Sequence, residues 1–284
     1  MTGTGTPPLA GDLALAAERV AALVRGQEAL GVAYSGGVDS SVLLALAARA
    51  LGTDRVCAII GVSPSLPRSE LAAALQVSAA LGVRTVALPT HEGDRAEYRA
   101  NGPDRCYHCK YELFERISAD LVRRERLTAI AYGENADDTR RHDRPGARAA
   151  AHFSVLRPLA DAGIDKALVR RLAHALALPN AGKPAAPCLA SRIPHFTEVT
   201  AEKLAQVEGA EEALRELGFH DLRIRHHGEV ARIELPSGDI ARAIAPPLRE
   251  RIRTAVQEHG FRFVTVDLAG IQSGAFTLPL VSVR

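Results

Sequence analysis

GVAYSGGVDSSVLLALAARA, residues 31–50, decides the fold. It opens on a short apolar run, Val32-Ala33-Tyr34, passes through Ser35-Gly36-Gly37-Val38-Asp39-Ser40-Ser41, and continues into Val42, Leu43, Leu44, Leu46 and Ala47 at helical spacing. The order reads as buried strand, tight turn, helix N-terminus. Two adjacent glycines let backbone N–H groups converge on one point without Cβ interference. The start of the helix adds unpaired donors and partial positive charge. With the hydroxyls of Ser35, Ser40 and Ser41, the turn is a cradle for phosphate oxygens.

A Walker A loop would carry a Lys reaching the β- and γ-phosphates, and none stands in or just after this turn. Its absence suits an enzyme that breaks the α–β bond of ATP and holds pyrophosphate. The string SGGVDS resembles the PP-loop of the N-type ATP pyrophosphatases, which activate a carboxylate or carbonyl oxygen as an adenylate. That resemblance implies ATP/pyrophosphate binding by Ser35, Gly36, Gly37, Asp39 and Ser40.

Outward from this stretch, Leu13–Leu30 has helical spacing, and Val56–Val62 reads as a second buried strand. A helix follows over 68–81 and a third strand over 83–88. After a polar connection, 89–109, come a helix over 110–126 and a strand over 128–132. Strands alternating with helices predict an α/β fold, a doubly wound parallel sheet covered on both faces. Ligands then bind beyond the strand C-termini, where Gly61 is placed to meet adenine or ribose. Cys57, inside the second strand, reads as a small buried hydrophobe. A helix is expected near 165–177. Residues 180–196 are Pro-rich and irregular, expected to lie over the active site and to end a first domain, 1–195. From Thr200 a helix, a hairpin around His227-Gly228, a helix over 247–259 and a strand over 261–266 predict a small α+β domain within 196–284, ending in a tail.

The balance of 35 basic against 33 acidic residues argues against a nucleic-acid wrap. No apolar run is long enough to span a membrane, and the N-terminus has no signal-peptide pattern. Four cysteines are too few for a disulfide scaffold, and a cytoplasmic protein is expected. Asp137 and Asp138, at the end of a strand, can support Mg²⁺ on pyrophosphate or cap a helix. Arg140–Arg148 is a basic loop, suited to an anionic substrate or to solvent. Cys106 and Cys109 form a C-x₂-C pair, and Cys188 stands alone. Three thiols can hold three irons of a [4Fe–4S] cluster and leave one iron open. A zinc site using His108, a redox pair, a sacrificial thiol and no ligand at all are the alternatives.

With these residues in place, the chain resembles the LarE family, ATP-dependent sulfur transferases that make the pincer ligand of the nickel cofactor of lactate racemase. The resemblance spans about residues 15–274. It rests on SGGVDS (35–40), RCYHCK (105–110), NADD (135–138), RPGARAA (144–150), KPAAPCLASRIP (183–194) and LRIRHHGEVARIEL (222–235). It implies ATP and Mg²⁺ as cofactors and a small nucleotide substrate, pyridinium-3,5-biscarboxylic acid mononucleotide. It also implies a sulfide source and a homo-oligomer, a hexamer in the family. Ser191, Arg192, Arg223 and Arg225 match positions that grip the substrate phosphate. Arg223 and Arg225 alternate onto one face of a strand, and Arg forks bind phosphate bidentately. The family has a branch with one sacrificial cysteine, matched by Cys188, and a branch whose three cysteines hold a [4Fe–4S] cluster. Three are present here, so the cluster branch is expected, with sulfur carried by cluster-bound sulfide. Gly133-Glu134-Asn135 departs from the more usual Gly-Thr-Asn and leaves Glu134 without a family role. PP-loop tRNA thiolases and ammonia-dependent amidotransferases are the rival readings. The first lacks a strongly basic surface or an aromatic stacking motif here, and the second needs no cysteine triad.

Overall fold

The structure, a computed structural model, describes residues 8–140, 145–184 and 186–271. The chain divides into two compact units. One comprises the chain up to Ser63, Arg68–His91 and Cys106–Ala186; the other comprises Pro64–Pro67, Glu92–Arg105 and the chain from Pro187 on. The division expected at 195/196 thus falls inside the second unit, and Cys188, Ser191 and Arg192 belong to that unit.

In the first unit the elements run α1 (Gly11–Val24), β1 (Leu30–Ala33), α2 (Val38–Leu51), β2 (Val56–Val62), α3 (Arg68–Ala80), β3 (Arg84–Pro89), α4 (Arg105–Arg116), β4 (Ala129–Tyr132), α5 (Pro145–His152) and α6 (Lys166–Ala175). The four strands form one parallel sheet in the order β3-β2-β1-β4. Leu156 adds a one-residue parallel bridge to Ala131. The order reverses direction at β1, and the crevice beyond the C-terminal end of such a strand is where open α/β sheets bind ligands.

Helix α2 is buried almost all round, as an apolar helix covered by α1 and α6 should be. A separate core gathers Cys57 and Ile59 of β2, Phe114 of α4, Ile130 and Tyr132 of β4, and Ala149 and Ala150 of α5. Cys57 is therefore the packed hydrophobe expected.

Several local expectations change. Leu30 opens a strand, because α1 ends at Val24. The helix expected from 110 begins at Arg105, so Cys106 and Cys109 lie in a helix and not in the preceding loop. After Arg116 it passes through a π turn, Ile117–Leu121. Residues 145–148 of the expected basic loop are helical; 141–144 lie outside the described residues. Most of the expected tail, 272–284, also lies outside them.

In the second unit, α7 (Ala201–Glu216) is followed by β5 (Arg223–His227), β6 (Val230–Glu234), α8 (Ser237–Ile244), α9 (Leu248–Gln257) and β7 (Phe263–Val266). The hairpin β5–β6 is antiparallel and turns at Gly228, whose φ of 66° suits glycine. Strand β7 joins β6 in parallel, and α8 is an addition to the expected pattern. The segment expected to be too broken for core contributes Leu189, Ala190 and Ile193, all buried. Asn101 holds it: its amide donates to the carbonyls of Ile193, Pro194 and Thr197, at 3.3, 2.8 and 3.0 Å. Among the described residues, no helix is long and apolar enough to cross a membrane.

Candidate active site: a phosphate loop and an arginine cluster

The phosphate loop grows directly out of β1. Gly36 has φ 70°, and a Cβ there would lie 2.5 Å from the Cβ of Ala74, so no side chain is tolerated. Gly37 is the N-cap of α2 and leaves the first-turn N–H groups without intrahelical partners. Ser35 is exposed, while Ser40 is buried and stitches the turn. The Ser40 hydroxyl accepts from Ser35 N–H at 3.3 Å and donates to the Gly37 carbonyl at 3.0 Å. Ser41 differs from the sequence reading. It is fully buried, and its hydroxyl meets Tyr34 and Asn180, so it is not a phosphate donor.

Gly133, at the end of β4, presses on the start of α2; a Cβ there would lie 2.7 Å from the Ser40 nitrogen. The neighbouring Asn135 donates to Asp39 Oδ1 at 3.2 Å, and Lys166, at the start of α6, pairs with Asp39 Oδ2. Sequence reasoning noted that the loop has no local Lys; the fold supplies one from a residue 127 positions away. Asn135 and Asp138 form a reciprocal capping box. Asp137 Oδ2 accepts from Lys166 N–H at 2.9 Å. Of the two readings open for these carboxylates, capping is the one the contacts display. Glu134 is buried; its carboxylate accepts from the Tyr132 hydroxyl and faces Arg157 at 3.9 Å. Gly61, the last but one residue of β2, lies close to Leu113 and Thr90, which a Cβ would approach at 3.1 and 3.3 Å.

Cys106 and Cys109 sit three residues apart in α4, one exposed and one half-buried, neither in a disulfide. Lys110 lies over the Tyr132 ring at 4.5 Å, and Gly146 makes room for its side chain. Arg148 stacks on Tyr107 at 5.1 Å. The RCYHCK and RPGARAA segments therefore pack on each other. Cys188, half-buried and in no disulfide, precedes the tight turn Leu189–Arg192. Among the described residues, no group of three or more His, Cys, Asp or Glu side chains is gathered around a metal-sized space. Thiols have the donor chemistry that iron–sulfur ligation uses.

Within the second unit the four expected phosphate-binding residues come together. Arg225 donates from Nε and Nη2 to both oxygens of Glu234, at 3.0 and 2.9 Å, and from Nη1 to the Ser191 carbonyl at 2.8 Å. Arg192 donates from Nε to Glu211 at 2.9 Å, to the Pro187 carbonyl at 2.6 Å and to the Ser191 hydroxyl at 3.0 Å. Arg223 shares the face of β5 with Arg225. Burial, followed by repulsion from Arg192 and Arg225, pushes its pKa below the ordinary arginine value. Arginine stays charged regardless.

Glu211 and Glu234, both fully buried, are the partners that sequence reasoning missed. Glu211 was detectable: Leu204, Val207, Glu211 and Leu214 form one buried stripe of α7, and a lone carboxylate on such a stripe needs a partner. Glu234 was detectable from the hairpin, whose register sets it opposite Arg223.

The asparagine synthase family model matches residues 14–113, the part that holds the phosphate loop. An uncharacterised Synechocystis protein is 40% identical over 86% of this chain and 90% of its own length. The pyridinium-3,5-bisthiocarboxylic acid mononucleotide synthase of Lactiplantibacillus plantarum is 34% identical over 86% of this chain and 87% of its own. An uncharacterised Methanocaldococcus jannaschii protein is 29% identical over 84% of this chain and 88% of its own. The phosphate loop, the arginine cluster and a match over nearly the whole length agree: the chain belongs to the LarE family of ATP-dependent sulfur transferases, built on the PP-loop fold.

Proposed function

We propose that the chain adenylates the carboxylates of pyridinium-3,5-biscarboxylic acid mononucleotide and converts them to thiocarboxylates. The observation that carries this reading is the buried cluster of Arg192, Arg223 and Arg225 beside Ser191, three guanidinium groups brought together within one unit. Such a cluster suits a phosphomonoester. The Lactiplantibacillus plantarum relative, by its name, makes the bisthiocarboxylic mononucleotide.

A free carboxylate is a poor electrophile, so the reaction needs a leaving group. One carboxylate oxygen attacks the α-phosphorus of ATP, and the α–β bond breaks to release pyrophosphate. Ser35 and the N–H groups of Gly37 and the first turn of α2 hold the departing charge. Lys166 and Asp39 are placed at the same helix start, and Mg²⁺ enters with the nucleotide phosphates. A sulfur nucleophile then attacks the acyl carbon, and AMP leaves with its electron pair. The sequence repeats on the second carboxylate.

For the sulfur source, the proposed ligands of a [4Fe–4S] cluster are Cys106, Cys109 and Cys188. When bound, the cluster supplies an open iron that carries a sulfide for transfer. The support is that all three cysteines are present and none is in a disulfide. The enzyme is proposed to act as a cytoplasmic homo-oligomer.

The test is anaerobic purification with iron and acid-labile sulfide counted per chain, then turnover with ATP and the mononucleotide. Pyrophosphate release, thiocarboxylate product and intact Cys188 are expected. Product formation without iron, with Cys188 losing the elements of H₂S, moves sulfur donation to that residue. Pyrophosphate release with ammonia in place of sulfide favours amidation, the reading to which the asparagine synthase match lends weight.

A further inference from the structure

Behind the phosphate loop runs a buried hydrogen-bonded chain that none of the quoted motifs contains. Asn180, 8% exposed, follows α6 in the first unit. Its amide nitrogen donates to the Gly36 carbonyl at 2.9 Å and to the Ser41 hydroxyl at 2.8 Å. The Gly36 carbonyl can only accept, which fixes the amide orientation. Ser41 accepts from Asn180 and so gives its own proton to Tyr34 at 3.2 Å, and Tyr34 gives its proton to the Ala74 carbonyl at 3.3 Å. Ala74 is also the residue whose Cβ closes over Gly36. Asn180 Oδ1 is buried without a hydrogen-bond partner. An orphaned acceptor costs about 1–3 kcal/mol, so the site keeps this amide for its two donors.

The peptide geometry gives those donors a consequence. In a trans peptide the C=O of one residue and the N–H of the next point in opposite directions. Holding the Gly36 carbonyl inward therefore turns the Gly37 N–H outward. That N–H has only a long contact, 3.4 Å, to the hydroxyl of exposed Ser35, a bond that a phosphate oxygen can replace. Gly36 tolerates many φ/ψ values. Unbraced, the 36–37 peptide can turn its carbonyl outward and repel an anion.

We infer that Asn180 is a positioning residue for the phosphate loop, fixing the 36–37 peptide so that the Gly37 N–H faces the pyrophosphate group of ATP. The inference rests on the ATP-dependent reading above. Asn180→Asp keeps the side-chain volume but sets an acceptor against the Gly36 carbonyl; Asn180→Ala removes the brace altogether.

The test is calorimetric titration of the full-length wild type and both variants with magnesium pyrophosphate. KM and kcat for ATP and the thermal midpoint are measured alongside. Pyrophosphate affinity and KM are expected to worsen on the order of tenfold in both variants, the size of about one hydrogen bond, with kcat changed much less. A residue that only stabilises the fold would lower the midpoint and leave affinity per folded molecule unchanged. Affinities within about threefold of wild type overturn the inference and leave ATP use standing. Wild-type protein that binds neither magnesium pyrophosphate nor ATP overturns the ATP reading, and the inference with it.

Discussion

Glu234 faces Arg223 across the β5–β6 register, yet its carboxylate forks the guanidinium of Arg225. The fork pairs Arg225 with Glu234, while Arg223 feels the charges of Arg192 and Arg225 as well as those of Glu234 and Asp221. The pair is shut away from water, with Arg225 at 3% and Glu234 at 0% exposure. One guanidinium of the strand is thus held in place by a carboxylate.

Glu234→Gln should destabilise the protein strongly. It leaves Arg225 buried opposite a neutral amide with one acceptor oxygen and removes the charge from the Arg232 contact at 3.4 Å. Removing one partner of a buried ion pair costs about 3–5 kcal/mol; the retained amide puts Gln at the lower end. Chemical denaturation at neutral pH measures it. A loss under about 1 kcal/mol would mean that the fork contributes no more than a surface pair.

Arg223→Met should act on ligand binding. Binding of a pyridine mononucleotide should weaken by roughly ten- to a hundredfold, the worth of a charge-assisted hydrogen bond. Calorimetry with the mononucleotide and with its dephosphorylated nucleoside checks the assignment. Equal losses for both ligands would remove Arg223 from the phosphate site.

The four-stranded sheet was legible because its signals are local. Each strand is a short apolar run, and the 31–50 stretch carries strand, glycine turn and helix start together. The arginine side of the second unit was legible too, since alternation alone sets Arg223 and Arg225 on one face. What escaped depends on contacts distant in sequence. Asn180 meets Gly36 across 144 positions, and Lys166 meets Asp39 across 127. The π turn at 117–121 and helix α5 escaped for another reason: the first leaves no change in the apolar spacing, and PGARAA reads equally well as loop. Glu211 and Glu234 were visible in sequence but were not connected to the arginines, because charge pairing becomes apparent only with burial.

The cysteines should separate by rate in a thiol titration of the native, iron-free protein. Cys106 is exposed, whereas Cys57 is 3% exposed and its thiol is pushed up in pKa, chiefly by burial. Reaction needs both access and thiolate. Cys106 should label within the first phase, and Cys57 only after denaturant is added. Mass mapping of the labelled peptides assigns each phase. Early labelling of Cys57 would contradict its place in the core beside Phe114 and Ile130.

Stability should fall as pH drops from about 7 to 5, with His226 a principal source. This ring is buried at 3% exposure, donates from Nε2 to Gln206 at 3.0 Å and accepts the Gly228 N–H at Nδ1 at 3.3 Å. Both nitrogens are committed to the neutral tautomer. Burial first, then the charge of Lys203, holds its pKa below the ordinary 6.5, with His227 adding a smaller repulsion. The unfolded chain therefore takes up a proton at higher pH than the folded one, so unfolding gains protons across that window and is favoured by acid. Above about 6.5 the His226 contribution is flat; below it, stability declines until the folded ring also titrates. His227, lowered by burial and by Arg232 and Arg225, adds in the same direction. Denaturation curves at half-unit pH steps should show a shallower decline for His226→Gln than for wild type. Parallel declines in the two proteins would place the acid sensitivity outside His226.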